Sequence, residues 1–343
     1  MALYINKPRY QSKPITNVNA LALAVGLDVP TLLSVAASAN RSYRSVRPKP
    51  GSTRKTFDAL GQLKKIHKRI KEQIFVKVAF PDYLHGSLKG CDYVTNASLH
   101  TNKKILICED VQSFFPSVRA DRVEDVWSGF FGFSQEVARL LTTLTTKDGA
   151  LPQGAITSSY LANLVLWRDE PFLQAKLAER GITYSRYVDD MAMSSSTYLT
   201  KETQTWVIAQ VYRMLRKNGL SAKRKKHEIF SATEPMIATK LVVNRKPSLS
   251  RKKRSQVRAQ VHQLEVVHES GGETEEVRVL ANKAAQRVGQ FGRFHPTQAA
   301  HLKGRVRRVR DALPQETHAW TTGPSTLELP ASAENVADTG APW

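Results

Sequence analysis

The spacing of apolar residues along the chain predicts mostly helices, joined by a few short strands. Apolar residues three or four positions apart, with polar residues between them, give a helix one hydrophobic face. This pattern predicts helices over Asn17–Asn40 (with a break near Pro30), Leu60–Val78, Asp125–Leu144, Ala155–Ala178 and Lys201–Asn218, where Gly219 stops the last one. Basic helices follow, from Ser250 to about Leu264 and from about Glu275 to Leu313.

Strand patterns are fewer, and one of them carries two adjacent carboxylates. Ile182–Ser196 alternates apolar and polar residues on both sides of Asp189-Asp190, which predicts a β-hairpin with both acids at its tip and Val188 in a strand position. Other strands are predicted at Lys104–Cys108, which ends at Glu109-Asp110, at Lys223–Phe230 and at Ile237–Val243. Arg41–Arg54 is predicted to be a loop or a flexible hairpin, and His85–Thr101 a loop that leads into a short helix.

The net charge of the chain indicates the class of partner that it binds. The 343 residues include 51 Lys and Arg against 30 Asp and Glu, a formal net charge of +21. The excess is local, because Lys201–Gln260 holds sixteen basic residues and three acids, and no Lys or Arg follows Arg310. A basic excess of this kind favours a polyanion, and nucleic acid is the usual one.

The composition does not favour a membrane protein, a secreted protein or a protein held together by disulfides or zinc. No apolar run approaches the ~20 residues that a membrane-spanning helix needs, and MALYINKPRY lacks the apolar core of a signal peptide. Cys91 and Cys108 are too few for a disulfide framework or a cysteine zinc site. We therefore expect a cytoplasmic protein that binds nucleic acid and has no membrane partner.

The acids at the predicted hairpin tip favour a metal. Asp189 and Asp190 repel each other unless a cation lies between them, although Asp-Asp also favours a plain surface turn. Asp110 follows the predicted strand Lys104–Cys108, earlier in the chain than the hairpin. Strand alternation turns Glu109 to the opposite face. Three carboxylates at one sheet edge suit two-metal phosphoryl transfer, with two Mg²⁺, or Mn²⁺, as the cofactors.

Four segments in order, EDVQSFFPSV, LPQGAITSSYLANLVL, YVDDMAMSSS and GLSAKRKKHEIF, resemble the palm of a reverse transcriptase. Two more resemble bacterial retron reverse transcriptases. VTNASLH is similar to the retron Asn-Ala-x-x-His signature, and ATKLVVNRKPSLSRKKRSQVRAQVH to the region that begins Val-Thr-Gly in retrons. The resemblance covers roughly residues 53–313. It departs from the family pattern at Ala238-Thr239-Lys240, in place of Val-Thr-Gly, and at Val188, in place of the Ala of Tyr-Ala-Asp-Asp.

The resemblance implies roles for the residues of these motifs. Asp110, Asp189 and Asp190 are the catalytic, metal-binding acids. Phe115 lies against the sugar of the incoming nucleotide and rejects a 2′-hydroxyl by its bulk, with core packing as the alternative for Phe114 or Phe115. Gln153 and Gly154 contact the templating base pair, the alternative being a simple turn before a helix.

Basic residues receive the remaining implied roles. Lys226 contacts phosphate and protonates the departing pyrophosphate, although a solvated charge run over Lys223–Lys226 is the alternative. Arg54 and Lys55 hold the triphosphate. The predicted RNA-binding residues are Asn96 and His100 of the retron signature and five cations of the first basic helix: Arg251, Lys252, Lys253, Arg254 and Arg258. Such cations suit sequence-independent phosphate contacts.

The implied fold is α+β, a right-hand polymerase with an antiparallel four-stranded palm sheet, helical fingers and a helical thumb. The predicted domains are N-terminal helices and fingers over 1–102, palm over 103–245 with part of the fingers at about 119–150, a basic thumb over 246–314, and an acidic, low-complexity tail over 315–343.

The implied function is RNA-directed DNA synthesis. Its substrates are deoxynucleoside triphosphates and a structured non-coding RNA, which is copied into single-stranded DNA from a 2′-hydroxyl primer. Retron enzymes act in anti-phage defence with an effector, here a separate protein. The alternatives are another bacterial defence or group II intron-type reverse transcriptase, a catalytically inactive RNA-binding scaffold, and a palm-fold nucleotide cyclase, which needs no basic thumb.

Overall fold

The computed structural model describes residues 5–47 and 54–314 of the chain. The predicted acidic tail, 315–343, lies outside the described residues, as does the middle of the predicted 41–54 loop. The chain forms two compact units, Met1–Thr239 and Lys240–Trp343.

The first half of the first unit is mostly helical. Its elements are β1 (Arg9–Tyr10), α1 (Val18–Val25), α2 (Val29–Ser38), β2 (Tyr43–Val46), β3 (Thr56–Ala59), α3 (Gly61–Gln73), β4 (Val78–Ala79) and α4 (Tyr93–Ser98). Strands β2 and β3 pair antiparallel, so the two ends of the predicted loop or hairpin are joined as paired strands. The break in the first predicted helix falls at Gly26, which has a left-handed φ of 72°, while Asp28 caps the next helix by accepting the Thr31 amide.

The second half of the first unit contains the main sheet. Its elements are β5 (Ile105–Asp110), α5 (Phe114–Ser117), α6 (Ala120–Asp125), α7 (Gln135–Thr145), α8 (Ser158–Leu164), α9 (Glu170–Ala178), β6 (Ile182–Tyr187), β7 (Asp190–Ser195), α10 (Lys201–Lys217), β8 (Glu228–Ser231) and β9 (Ile237–Ala238).

Four of these strands form an antiparallel sheet in the order β6-β7-β5-β8, and the fold is α+β. The β6–β7 hairpin confirms the predicted pairing around the acids, but Val188 lies in the two-residue turn and not in a strand. Tyr187 pairs with Asp190 across the hairpin, and Asp110 pairs with Asp190 across β5 and β7. This register brings the two strand ends that carry carboxylates to one edge of the sheet.

Helices cover one face of this sheet. Alternation along β6 points Tyr184 and Arg186 toward α9, and the same face of β5 points Glu109 toward Tyr212 of α10. Asp110 and Asp190 lie on the opposite face, where Cys108 donates to the Ile237 carbonyl and His100 contacts the hairpin. The face that carries the two aspartates and the face that the helices cover are thus set by a period of two.

Two long helices predicted as continuous are each interrupted in the structure. The predicted helix Ala155–Ala178 is two helices, α8 and α9, because Pro171 lies in the first turn of α9 and cannot continue a helix from before it. The predicted helix Asp125–Leu144 is also interrupted. A π-helical turn covers Val126–Phe130, Gly132 takes a left-handed φ of 69°, and Ser134 caps α7 by accepting the Val137 amide.

Two predicted strands are shorter than expected. Within Lys223–Phe230, residues Arg224–Lys226 form a 3₁₀ turn before β8 begins at Glu228. The predicted strand Ile237–Val243 is interrupted by Thr239 and Lys240, whose φ angles of 43° and 68° are left-handed and leave the extended region.

The second unit contains β10 (Leu241–Val242), α11 (Arg251–Glu269), α12 (Thr274–Gly292) and α13 (Pro296–Ala312). The predicted helix from Glu275 to Leu313 is therefore two helices, which separate at Pro296. Buried Val257, Val261 and Leu264 of α11 form part of a three-helix core. Arg305 of α13 binds Glu265 of α11 through both carboxylate oxygens.

Among residues 5–47 and 54–314, no single helix is long and apolar enough to cross a membrane. One bent pair, α1 with α2 and the turn after it, passes on length and composition alone.

Candidate active site

The hairpin turn between β6 and β7 holds the first pair of predicted catalytic acids. Val188 occupies the turn with a φ of 59°, a region that β-branched residues avoid. The carbonyl of Asp189 accepts the Val111 amide at 3.0 Å, so the turn is bonded to the chain just past the end of β5. Asp189, Asp190 and Asp110 consequently lie at adjoining ends of three strands.

Burial and neighbouring carboxylates perturb Asp190 and Asp189. Burial, followed by the charges of Asp189 and Asp110 and a hydrogen bond with Asp110, together raise the pKa of Asp190 to about 7. Burial, followed by the charge of Asp110, raises the pKa of Asp189 as well. Like charges gathered in a low-dielectric site favour either a proton or a cation between them.

Lys226 is the cation that the chain itself supplies. Its ammonium group forms a close ion pair with the Asp110 carboxylate while its own side chain stays half-exposed. Burial lowers the pKa of Lys226, but the hydrogen bond and charge of Asp110 outweigh it and raise the pKa overall. Lys226 and Arg54, whose charge acts on Asp189, oppose three carboxylates, which leaves the site short of positive charge.

The donor set fits magnesium. Carboxylate oxygens are its preferred protein ligands, and it commonly uses one or two of them together with substrate phosphates instead of a complete protein cage. In the part of the chain that the structure describes, no group of three or more His, Cys, Asp or Glu side chains is placed to hold a metal ion by itself. The three aspartates, with substrate oxygens added, are the residues that would hold the ion.

A buried ion pair between Arg186 and Glu170 supports the turn at Val188 and Asp189. Arg186 and Glu170, 0% and 1% exposed, meet through two contacts, Nε to Oε1 at 2.6 Å and Nη2 to Oε2 at 2.8 Å. Arg186 also donates to the carbonyls of Val188 at 3.0 Å and Asn163 at 3.1 Å, and Tyr184 donates its hydroxyl to Glu170. The guanidinium therefore joins the left-handed turn to α8 and α9.

A second support comes from the segment that precedes α4. The Arg186 amide donates to the Tyr83 carbonyl, and the Arg186 carbonyl accepts the His85 amide, so this segment extends the hairpin edge. A Cβ at Gly86 would lie 2.4 Å from a Val188 methyl carbon, so only glycine fits there. The turn is thus confined from two sides.

On the core face of β5, Glu109 forms a separate cluster. It accepts from His227 Nδ1 at 2.7 Å and from the Tyr212 hydroxyl at 3.3 Å. Burial raises the pKa of Glu109, against the opposing effect of His227. Consecutive residues of β5 therefore bind consecutive residues of the basic turn: Glu109 binds His227, and Asp110 binds Lys226.

The predicted sugar gate lies directly after this strand. Phe114 is 3% exposed and belongs to the core, whereas Phe115 is only partly buried, with its ring 6.0 Å from that of Phe114. Core packing is thus supplied by Phe114, and Phe115 keeps an accessible face.

The predicted template contacts, Gln153 and Gly154, lie against the β2–β3 hairpin. Gln153 accepts the Phe57 amide at 2.8 Å through its carbonyl, and Gly154 has a φ of 103°, where a Cβ would lie 2.9 Å from the Phe57 carbonyl oxygen. Arg54 is exposed and its charge acts on Asp189. Lys55 is exposed at the same end of β3. The start of β3 therefore lies close enough to Asp189 for the charge of Arg54 to act on it.

The predicted RNA contacts of Asn96 and His100 require a correction. Asn96 is 1% exposed and His100 is fully buried. His100 lies between two hydroxyls, Ser194 at 2.7 Å and Ser185 at 2.7 Å, and so connects the end of α4 to both strands of the hairpin. Burial lowers its pKa to about 3. These side chains have an internal position, which leaves no surface for RNA.

The predicted phosphate-binding cations belong to the second unit. Arg251, Lys252 and Arg258 of α11 are exposed, and Lys253 and Arg254 are partly buried. Burial lowers the pKa of Lys253, and the neighbouring cations Lys240, Arg287 and Lys252 lower it further. Lys240 and Arg287 were not among the predicted residues. They extend the basic surface from α11 to α12.

Several important residues were not identified from the sequence. Arg186 had a detectable signal, because a cation at a core position of a buried strand requires an acid partner. Its partner Glu170, sixteen residues earlier in the chain, has no such signal. The same holds for Gly86, whose role depends on the close approach of a distant turn.

Comparison with known proteins agrees with this geometry. A family profile described as "Reverse transcriptase (RNA-dependent DNA polymerase)" matches residues 47–281. The retron Se72 reverse transcriptase of Salmonella heidelberg (strain 579083-10) is 32% identical over 306 residues, 87% of this chain and 81% of that protein. The retron Ec48 and Ec86 reverse transcriptases of Escherichia coli are 27% and 26% identical, covering 89% and 77% of this chain and 79% and 83% of their own lengths.

These matches define the class of protein as an RNA-directed DNA polymerase. More particularly, the chain belongs to the retron-type reverse transcriptases of bacteria.

Proposed function

We propose that Asp110, Asp189 and Asp190 form the nucleotidyl-transfer centre of this polymerase. The observation that carries the proposal is the register of β5 and β7, which makes Asp110 and Asp190 direct partners next to the Asp189 turn. The raised pKa values of Asp189 and Asp190 are those of a site built to receive cations.

The proposed cofactors are two Mg²⁺ ions, or Mn²⁺, held by these three carboxylates and substrate oxygens. Bound there, the ions would acidify the attacking hydroxyl and stabilise charge on the leaving oxygen. The chain positions the acids that would hold these ions. Arg186 fixes the turn that carries Asp189 through the Val188 carbonyl, and the Gly86 segment confines it.

Four further contacts complete the proposed substrate site. Lys226 places an ammonium group beside Asp110, from which it can donate a proton to the departing pyrophosphate. Phe115 presents its partly exposed ring to the sugar and excludes a 2′-hydroxyl by its bulk. Arg54 and Lys55, at the end of β3, bind the triphosphate. Gln153 and Gly154 lie beside that hairpin and contact the templating base pair.

We infer that the chain has the domains of a right-hand polymerase. The palm covers 103–245, the fingers 1–102 with about 119–150, and the thumb 246–314. The cations of α11, with Lys240 and Arg287 added, would bind the phosphates of the template–product duplex. The acidic segment 315–343 is proposed as a docking element for an effector.

The proposed biological reaction is the copying of a structured non-coding RNA into the single-stranded DNA of a retron, primed from a 2′-hydroxyl of the same RNA. A role in anti-phage defence with a separate effector protein, in the cytoplasm, is part of the proposal. Its support is the similarity of the chain to three retron reverse transcriptases.

Sequencing the nucleic acid that co-purifies with the protein tests this reaction. The gene is expressed with its own upstream flanking DNA. We expect a short single-stranded DNA joined to a folded RNA by an RNase-resistant, debranchase-sensitive bond. DNA without a branch would contradict 2′-hydroxyl priming and favour a different defence-type or intron-type enzyme, and a preparation free of nucleic acid would contradict the assignment of the basic surfaces.

A further inference from the structure

The chain between α10 and β8 bulges at residues 224–227, where it crosses the end of β5. Before this bulge, the Lys223 amide donates to the Asp110 carbonyl at 2.7 Å. After it, β8 resumes the antiparallel pairing with β5 at Cys108. A single residue of β5, Glu109, therefore lies opposite a bulge of four residues.

Two consecutive side chains of the bulge bind two consecutive side chains of β5. His227 Nδ1 lies 2.7 Å from a Glu109 carboxylate oxygen, and the Lys226 ammonium group forms a close ion pair with Asp110. Side chains of consecutive strand residues point to opposite faces, so these contacts hold the bulge from both faces of the sheet. The Lys226 amide donates to the Lys223 carbonyl at 2.8 Å, which joins the two contacts within one tight turn.

The contact with Glu109 is the better shielded of the two. The Glu109 side chain is 0% exposed and that of His227 is 31% exposed, whereas the Lys226 side chain is 46% exposed. The Tyr212 hydroxyl of α10 donates to the second carboxylate oxygen of Glu109 at 3.3 Å and so fixes its orientation. Hydrogen bonds gain strength where solvent is excluded, while exposed ion pairs contribute little. Glu109 is thus the main anchor of the bulge.

Charge alone does not decide which cation of the run 223–226 meets Asp110. All four are exposed, and the adjacent Lys225 and Lys226 are chemically identical. The first three line a surface depression on the side of β5 that faces α10, whereas Lys226 reaches the opposite face. A shift of the bulge by one residue would bring Lys225 to the place of Lys226. His227 breaks this equivalence, because it differs in chemistry from the cations before it.

We propose that Glu109 is a positioning residue that, through His227, fixes the register of the bulge so that Lys226 and not Lys225 meets Asp110. Glu109 lies on the opposite face of β5 from Asp110 and therefore acts on the active site through the bulge. The consequence for nucleotide incorporation rests on the proposed role of Lys226 beside the catalytic acids.

Limited acetylation of the full chain with acetic anhydride, read by fragmentation mass spectrometry, measures the position of Lys226 without using the reaction. In the wild type, the ion pair with Asp110 should make Lys226 react about threefold or more slowly than Lys225. Glu109→Met and His227→Phe each remove one side of the anchor and should abolish this difference. Glu109→Gln keeps an acceptor for His227 and should restore most of it.

Tyr212→Phe is the matched control, because it removes the other hydrogen bond to Glu109 and leaves His227 bonded. Lys226 should stay protected in that variant. Lys217, which forms its ion pair on α10, is an internal reference whose reactivity should be the same in every protein. Thermal unfolding checks that the variants fold alike, and the half-exposed His227 allows its contact to be removed without a change in the core.

Two labelling results would overturn the proposal. One is wild-type protection of Lys226 in both Glu109→Met and His227→Phe, because the anchor would then not set its position. The other is equal reactivity of Lys225 and Lys226 in the wild type, because the register would then not be fixed at all.

A double-mutant cycle in single-turnover incorporation tests whether Glu109 acts through Lys226. Glu109→Met should slow the wild type, yet slow the Lys226→Gln variant by less than about twofold, because the positioned group is already absent. Equal slowing in both backgrounds would contradict the proposal and make Glu109 a general support of the sheet.

The catalytic use of Lys226 is distinguished from its positioning by Lys226→Gln alone. If that variant incorporated nucleotides like the wild type while acetylation of Lys226 depended on Glu109, the proposed role of Lys226 in the reaction would be wrong. The positioning of Lys226 by Glu109 and His227 would stand.

Discussion

Removing the Arg186 guanidinium, which supports the proposed catalytic turn, should separate effects on stability from effects on catalysis. Arg186→Met leaves Glu170 as an uncompensated buried carboxylate and removes the donors to the Val188 and Asn163 carbonyls. Breaking a buried ion pair by removing one partner costs about 3–5 kcal/mol. For a unit of this size that cost should lower Tm by roughly 10 °C or more.

A second substitution makes the test specific. Adding Glu170→Gln to Arg186→Met removes the unpaired charge yet keeps an acceptor for the Tyr184 hydroxyl. Stability should recover by about half or more, because the uncompensated charge accounts for most of the cost. Nucleotide incorporation should not recover, because the Val188 carbonyl remains without its donor and the left-handed turn loses its support.

The assay combines urea unfolding with single-turnover incorporation on an RNA template, at a temperature where every variant is folded. Arg168→Met is the control, because Arg168 pairs with Asp125 in a largely exposed ion pair away from the turn. If the double variant regained wild-type incorporation together with its stability, Arg186 would have only a structural role. A single variant with wild-type stability would refute the energetic argument itself.

Three further predictions concern the gate, the fingers contact and pH. Phe115→Val should reduce discrimination against ribonucleotides by about 10- to 100-fold in competing incorporation assays, and unchanged selectivity would contradict the steric gate. Gly154→Ala should cost about 1–3 kcal/mol in urea unfolding and raise the KM for nucleotide, since its Cβ would press on the Phe57 carbonyl at a left-handed φ; a neutral substitution would contradict that packing. Burial lowers the pKa of His67 to about 4 and of His100 to about 3, so each stays neutral in the folded chain and protonates on unfolding below its ordinary value. The two histidines should accordingly lower stability as pH drops below about 6.5, by about 1 kcal/mol each at pH 5.5, against the opposite effect of the raised pKa of Asp190. The His67→Gln/His100→Gln variant should therefore retain more of its stability than the wild type between pH 7 and pH 5.5, and an equal change in both proteins would refute this.

The sequence predicted the parts of this fold that depend on local pattern. Alternation and the Asp189-Asp190 turn gave the hairpin, and the period of two placed Asp110 and Glu109 on opposite faces of β5. The helix breaks at Pro171 and Pro296 follow from rules that also operate locally, but the apolar pattern continued across them and concealed the breaks. Boundaries of this kind depend on competition between periodicity and backbone chemistry.

Features that depend on distant contacts were beyond the sequence. His100 reads as a polar signature residue, and only the packing of α4 on the hairpin shows that Ser185 and Ser194 enclose it. The same holds for Arg216, which only the fold brings to the same surface depression as the cations Lys223–Lys225.

The most direct test of the central claim is primer extension on an RNA template by Asp189→Asn, compared with the wild type and with Asp121→Asn, an exposed acid outside the site. We expect Asp189→Asn to fold normally and to lose at least about 100-fold in the rate of incorporation, because the carboxylate contributes several kcal/mol of transition-state stabilisation, while Asp121→Asn retains wild-type activity. Wild-type incorporation by Asp189→Asn would contradict the assignment of the catalytic centre to the β6–β7 turn.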